Sequence, residues 1–202
     1  VFGSGNALEI SGTASKSFTQ RTLTLGGLTT WSGGQVNAGG GGTVNNSGTL
    51  DIEANASWAN FFGGVSTTIN NTGTIVRTQG TGLAALDKAV VNNSGVLQVQ
   101  TGTLRLSNGA AETGGGSGQY AVQAGATLDI SGGTYNIGGT LGGAGTLSVS
   151  GATLTHTGTY TAGGALSVVS GTANFNSGTA MAPGTVTIGG GTTNVNTALN
   201  VA

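Results

Sequence analysis

Short bursts of alternating apolar and polar residues run the length of this chain. Leu8-Glu9-Ile10, Leu23-Thr24-Leu25, Leu50-Asp51-Ile52 and Leu97-Gln98-Val99 each turn two apolar side chains one way and a polar one the other. A period of two is the signature of a half-buried strand. Glycine, asparagine and serine punctuate the bursts, so the strands are short and the turns frequent. Leu83 to Val91 is more continuously apolar and is expected to form a single helical turn. Trp58 to Phe62 is an aromatic cluster. Both read as insertions on an otherwise regular rhythm. Gly39 to Gly42 reads as a turn or bulge, and Gly114 to Gly118 as a loop.

The rhythm repeats. Asn45-Asn46-Ser47-Gly48-Thr49-Leu50-Asp51-Ile52 returns as Asn70-Asn71-Thr72-Gly73-Thr74-Ile75-Val76-Arg77, and again as Asn92-Asn93-Ser94-Gly95-Val96-Leu97-Gln98-Val99. A tighter series comes next, with Thr127-Leu128-Asp129-Ile130, Thr146-Leu147-Ser148-Val149, Ala165-Leu166-Ser167-Val168 and Thr185-Val186-Thr187-Ile188. Self-similarity at such a period marks a solenoid, in which each repeat buries its core against its neighbours. The predicted fold is all-β: a right-handed parallel β-helix with about three short strands per coil of roughly 19–25 residues. Handedness here rests on the general preference of parallel crossovers. The whole chain, 1–202, reads as one solenoid domain. Residues 1–43 are less regular coils, 44–118 carry the Asn-Asn coils, and 119–202 are the tighter ones.

Two ladders are expected. Leu50, Ile75, Leu97, Leu128, Leu147, Leu166 and Val186 are predicted to form one interior column. Asn45, Asn46, Asn70, Asn71, Asn92 and Asn93 are predicted to stack as amide ladders at the corners. With eight or nine coils about 4.8 Å apart, the rod would be on the order of 40 Å long.

Composition narrows the function. Only 5% of residues are charged and the net charge is −1, against roughly a quarter charged in an ordinary soluble domain. The five basic residues are scattered, which argues against a nucleic-acid partner. No cysteine is present, so neither a disulfide framework nor a thiolate metal site exists. No apolar run reaches the roughly 18–20 residues of a membrane helix, and no membrane insertion is expected. The chain starts inside a strand-like pattern without an initiating Met, and reads as a mature or excised piece of something longer.

The phrases Asn-Asn-Ser-Gly-Thr-Leu (45–50), Gly-Val-Leu-Gln-Val-Gln-Thr-Gly-Thr-Leu-Arg-Leu (95–106) and Gly-Ala-Thr-Leu-Asp-Ile-Ser-Gly-Gly-Thr-Tyr (125–135) resemble repeats of bacterial surface proteins. The resemblance is to filamentous-haemagglutinin-like and autotransporter-passenger β-helices, over about residues 44–200. It implies an extracellular place on the bacterial cell surface and a role as an adhesin stalk. It carries no catalytic residues and no cofactor to transfer. The secretion domain and membrane barrel of a whole adhesin are not in this sequence.

Candidate chemistry is sparse. Asp51 and Glu53 share a strand side and could do acid–base work or bind calcium, but the simpler reading is a solvated pair. Asp129 is expected in the column of Asp51, with Gln98 between. Six acids spread over the chain do not form the cluster that a polysaccharide-active enzyme needs, so no catalytic residue is assigned. His156, the one histidine, reads as an outward strand residue and has no second ligand for a metal. The sequons at Asn45, Asn55, Asn70 and Asn92 read as turn residues. Trp31 and Trp58, with Phe61 and Phe62, offer either weak glycan contact or core packing. The pairs Thr22/Thr24, Thr153/Thr155, Thr159/Thr161 and Thr185/Thr187 resemble the threonine arrays of ice-binding solenoids. They do not fall on consecutive coils of the predicted series. The functional expectation is a structural rod that associates through its ends or continues into a longer chain, touching a host surface or glycan. Ice binding and glycan binding are the alternatives.

Overall fold

A computed structural model describes residues 1, 3–108 and 113–201. Among them the chain is all β-strand and turn, wound into about nine stacked coils. Every strand pair is parallel. The expected β-solenoid is therefore what the chain forms, and each coil has three sides.

The first face is an eight-stranded sheet. It runs from Ala7–Ile10 through Thr49–Ile52, Thr74–Arg77 and Val96–Val99 to Thr159–Ala162. The second face begins at Lys16–Ser17 and includes Ser57–Asn60, Leu83–Asp87, Thr103–Ser107 and Thr185–Ile188. The third includes Thr22–Leu25, Thr43–Asn46, Thr67–Asn71, Ala89–Asn93, Thr134–Ile137 and Thr192–Val195. The second and third faces fuse into one sheet because Thr146–His156 and Ala165–Phe175 turn the corner as single strands, with a register shift at Ser150.

Alternation does the sorting. Along strands such as Thr49–Ile52, Thr103–Ser107 and Thr159–Ala162 every second residue is buried, and the buried set makes one core through the molecule. Leu50, Ile75 and Leu97 stack in register, and Tyr120, Leu141 and Tyr160 extend their column. Leu128, Leu147, Leu166 and Val186 stack too, but on the second face. The single interior column is thus two. The reason is visible in the residues: Thr-Leu-Asp-Ile occurs at both 49–52 and 127–130, once on each face.

The apolar run at 83–91 is two strands, not a helical turn. Ala84 and Leu86 point inward on the second face, and Ala89 and Val91 on the third. Lys88 turns the corner between them at φ 51°. Thr113–Gly116 is likewise a strand rather than a loop, and only Ser117 and Gly118 turn. Gly114 leaves room for the Tyr135 ring one coil on, and the Tyr135 hydroxyl donates to Asn108 Oδ1 at 2.7 Å. Of the two end segments expected as strand, Phe2 and Ala202 lie outside the described residues.

Candidate functional site

The asparagines form two ladders with different surroundings. Asn46, Asn71 and Asn93 point inward and are buried. Asn46 Nδ2 donates to Asn71 Oδ1 at 2.7 Å, and Asn71 Nδ2 to Asn93 Oδ1 at 2.7 Å. The second proton of each amide goes to a backbone carbonyl one coil on: Thr74 O at 2.8 Å and Val96 O at 3.0 Å. Asn93 Nδ2 reaches Gln119 O in the same way at 3.0 Å. This ladder staples the third face to the first. Asn45, Asn70 and Asn92 point outward, and Asn70 donates to Asn45 at 3.0 Å and Asn92 to Asn70 at 3.1 Å. These three are strand residues, not turn residues; of the four sequons only Asn55 lies in a bend.

The outward ladder belongs to a longer array. On the third face the register places Thr24, Asn45, Asn70, Asn92, Gly115, Asn136, Thr155, Asn174 and Asn194 in one column. Two residues earlier on each strand stand Thr22, Thr43, Thr68 and Val90, then Thr134, Thr153, Thr172 and Thr192. The four expected Thr-x-Thr pairs divide among three faces. Only Thr22/Thr24 and Thr153/Thr155 belong here; Thr159/Thr161 lie on the first face and Thr185/Thr187 on the second. The array is nevertheless present in the sequence as Thr-x-Asn triplets, such as Thr43-Val44-Asn45 and Thr172-Ala173-Asn174. A groove of about 210 Å³ lies beside Asn92, Asn93, Ser94 and Gly116.

The aromatic residues change places. Trp31 and Trp58 are not surface contacts: they are 0% and 1% exposed. Each packs edge-to-face on the other at 6.2 Å, and Phe18 does the same on Trp58. Aromatic packing of this kind fills the wider coils near the N-terminal end. Phe61 and Phe62 are the exposed pair, with rings 5.4 Å apart at the tip of a turn.

The ionisable groups are scattered. Asp51 accepts from Thr78 Oγ1 at 2.6 Å and Glu53 from Gln79 Nε2 at 2.7 Å. Asp129 is not in the column of Asp51. It lies on the second face, paired with Arg105 at 3.1 Å and accepting from Ser150 at 2.7 Å. Among the described residues no three of His, Cys, Asp and Glu come together as metal ligands would. His156 is fully buried rather than outward, because the strand that carries it turns the corner and its phase changes. Its ring meets Tyr160 at 6.2 Å and Phe175 at 6.3 Å, with Nε2 3.2 Å from Gly139 O. Burial pushes its pKa down, and raises that of Tyr160 to about 12.

Arg77 is the buried group that sequence reasoning passed over. It is 0% exposed. Nη1 donates to Ala54 O at 2.8 Å, and Nη2 to Asn55 Oδ1 at 2.6 Å and to the carbonyls of Gly80 and Gly82 at 3.1 Å. Burial lowers its pKa, but a guanidinium stays charged, and here it ties Ala54 and Asn55 of one coil to the turn at Gly80 and Gly82 of the next. The repeat alignment held the signal, since Arg77 occupies the inward slot of Ile52 and Val99.

The residues thus define a parallel β-solenoid with a polar array on one face. No protein-family model, curated protein or solved structure matches this chain.

Proposed function

We propose that this chain is a structural rod segment of a secreted or surface-attached bacterial protein of the adhesin type. The observation that carries the reading is the parallel pairing that continues from coil to coil around one dry core. Such a molecule transmits load and sets distance, and its backbone hydrogen bonds run along the axis that would be pulled. The chain resists collapse into a globule because each coil contacts only its neighbours. The terminal coils support continuation. Ile188 is 55% exposed and Leu199 39%, apolar surface that a further coil would cover, from the same polypeptide or from a second copy. The exposed Phe61 and Phe62 give the rod one apolar projection for weak contact with a glycan or host surface.

The test is immunogold labelling of intact cells of the organism that makes the protein, with antibody against residues 1–202. Labelling without permeabilisation is expected. Label confined to permeabilised cells would overturn the reading.

A further inference from the structure

We propose that the third face is an ice-binding plane. Over its last four coils the face carries a threonine column beside an asparagine and threonine column, one residue of each per coil; Val90 and Gly115 interrupt the two columns earlier in the chain. Coils recur at about 4.8 Å and alternate residues along a strand at about 6.6 Å, so the face is a two-dimensional lattice. Those repeats are on the scale at which oxygen atoms recur in the prism planes of ice.

The lattice is rigid in both directions. Threonine is β-branched and has few χ1 choices on a sheet. The amides are locked by one another, with Asn194 donating to Asn174 at 2.7 Å and Asn174 to Thr155 at 3.4 Å. Holding hydroxyls, methyls and amides in place before contact removes the ordering cost that weak individual contacts could not meet. Repetition over consecutive coils then multiplies a small gain per coil.

Composition of the face selects the occupant. Its outward strand positions hold no charged residue among those described; Glu9 and Asp51 stand on the first face, Arg105 and Asp129 on the second. A neutral hydrogen-bonding plane suits a neutral hydrogen-bonded crystal. No aromatic side chain stands on it, among the described residues, to stack a sugar ring. It also lacks the apolar centre that a second protein copy would bury. The longest uninterrupted patch is Thr134, Thr153, Thr172 and Thr192 with their partners, beyond the glycine gap at Gly115.

The experiment uses the purified chain, fluorescently labelled, on a growing single ice crystal, with thermal hysteresis measured in parallel. Wild type is expected to adsorb to the crystal and to depress its growth temperature. Thr153→Tyr, which raises a bulky ring above the plane, is expected to lose both effects while its circular dichroism melt stays as in wild type. Thr192→Lys on the exposed last coil is a second variant with the same expected loss and little risk to folding. Ser148→Tyr, on the second face, is expected to keep both effects. Absence of adsorption by wild type would overturn the proposal, as would loss in Ser148→Tyr or full activity in both third-face variants.

Discussion

At the residue scale, the same amino acid has two energetic roles one position apart. Asn71 donates two hydrogen bonds inside the core and accepts a third from Asn46. Removing it strands Asn46 Nδ2, Asn93 Oδ1 and the Val96 carbonyl away from water. A buried unmade partner costs about 1–3 kcal/mol, so Asn71→Ala should destabilise by roughly 2–4 kcal/mol. Asn70 bonds outward where water can substitute, and Asn70→Ala should cost less than about 1 kcal/mol. Denaturant titration of the two variants checks the contrast; equal costs would mean the inner ladder is not the staple described. Glycine sets another rule. A Cβ on Gly95 would overlap the carbonyl oxygen of Gly73 in the coil before, and Gly73 has the same relation to Gly48. Backbone cannot move aside as a side chain can, so Gly95→Ala should destabilise by about 1–3 kcal/mol, read as a lower melting temperature. His156 supplies the pH dependence. Its folded pKa lies below the ordinary 6.5 because burial disfavours the cation. The unfolded chain therefore binds the proton more readily, and the stability that neutral His156 allows is present above about pH 6.5 and lost as pH falls toward the folded value. The denaturant midpoint should fall between pH 7.5 and pH 5, and His156→Phe should flatten that slope.

At the element scale, alternation and turn chemistry made the strands legible, and phase made them ambiguous. The pattern Leu-Asp-Ile names a strand with two inward residues wherever it occurs. It does not name the side of the coil, because both the first and second faces present the same requirement to a Thr-Leu-x-Ile segment. Coil lengths differ around Phe61 and around the glycine strand at Thr113–Gly116, so counting from one repeat to the next loses the phase there. His156 is buried for a related reason, and the tryptophans take the core reading of the two that the sequence leaves open. Local neighbours such as Thr155 and Thr157 mark a strand, but burial is decided by where the corner falls. The outward Thr-x-Asn array was visible as triplets and was hidden by reading Thr-x-Thr alone. The coil, not the strand, is therefore the unit that can be removed. Deleting 140–158 joins Gly139 to Thr159, and Thr159 already sits in register with Thr140. The shortened chain should keep its β-sheet circular dichroism and lose about 4.8 Å of length in small-angle scattering. Deleting 140–149 removes one coil's strands on the first and second faces but leaves its strand on the third, breaks the pairing of the neighbouring coils on two sides, and should give an unfolded or aggregated product. A folded product from that second deletion would show that register is not what holds the coils together.

At the scale of the whole molecule, a solenoid has no single centre, and its stability is a sum of coil terms and interfaces between neighbouring coils. A central coil is covered on two sides and a terminal coil on one. The exposures agree: Leu97, Ile75 and Leu104 are 0% exposed, whereas Ile188 is 55% exposed and the inward residues Leu8 and Val186 are only partly buried. Local opening should therefore begin at the ends and meet rising cost toward the middle. Amide hydrogen exchange at neutral pH should be fastest in the strands Ala7–Ile10 and Thr192–Val195 and slowest in Thr74–Arg77, Val96–Val99 and Thr103–Ser107. The glycine strand Thr113–Gly116 should exchange faster than its neighbours, since Asn92↔Gly115 is its one register partner on the preceding coil among the described residues. A uniform protection pattern would mean that the coils unfold as one cooperative unit and that neighbour coupling outweighs coil stability. A graded pattern that flattens when chains associate would locate the added interface at the terminal coils, because only covered ends gain protection from a partner.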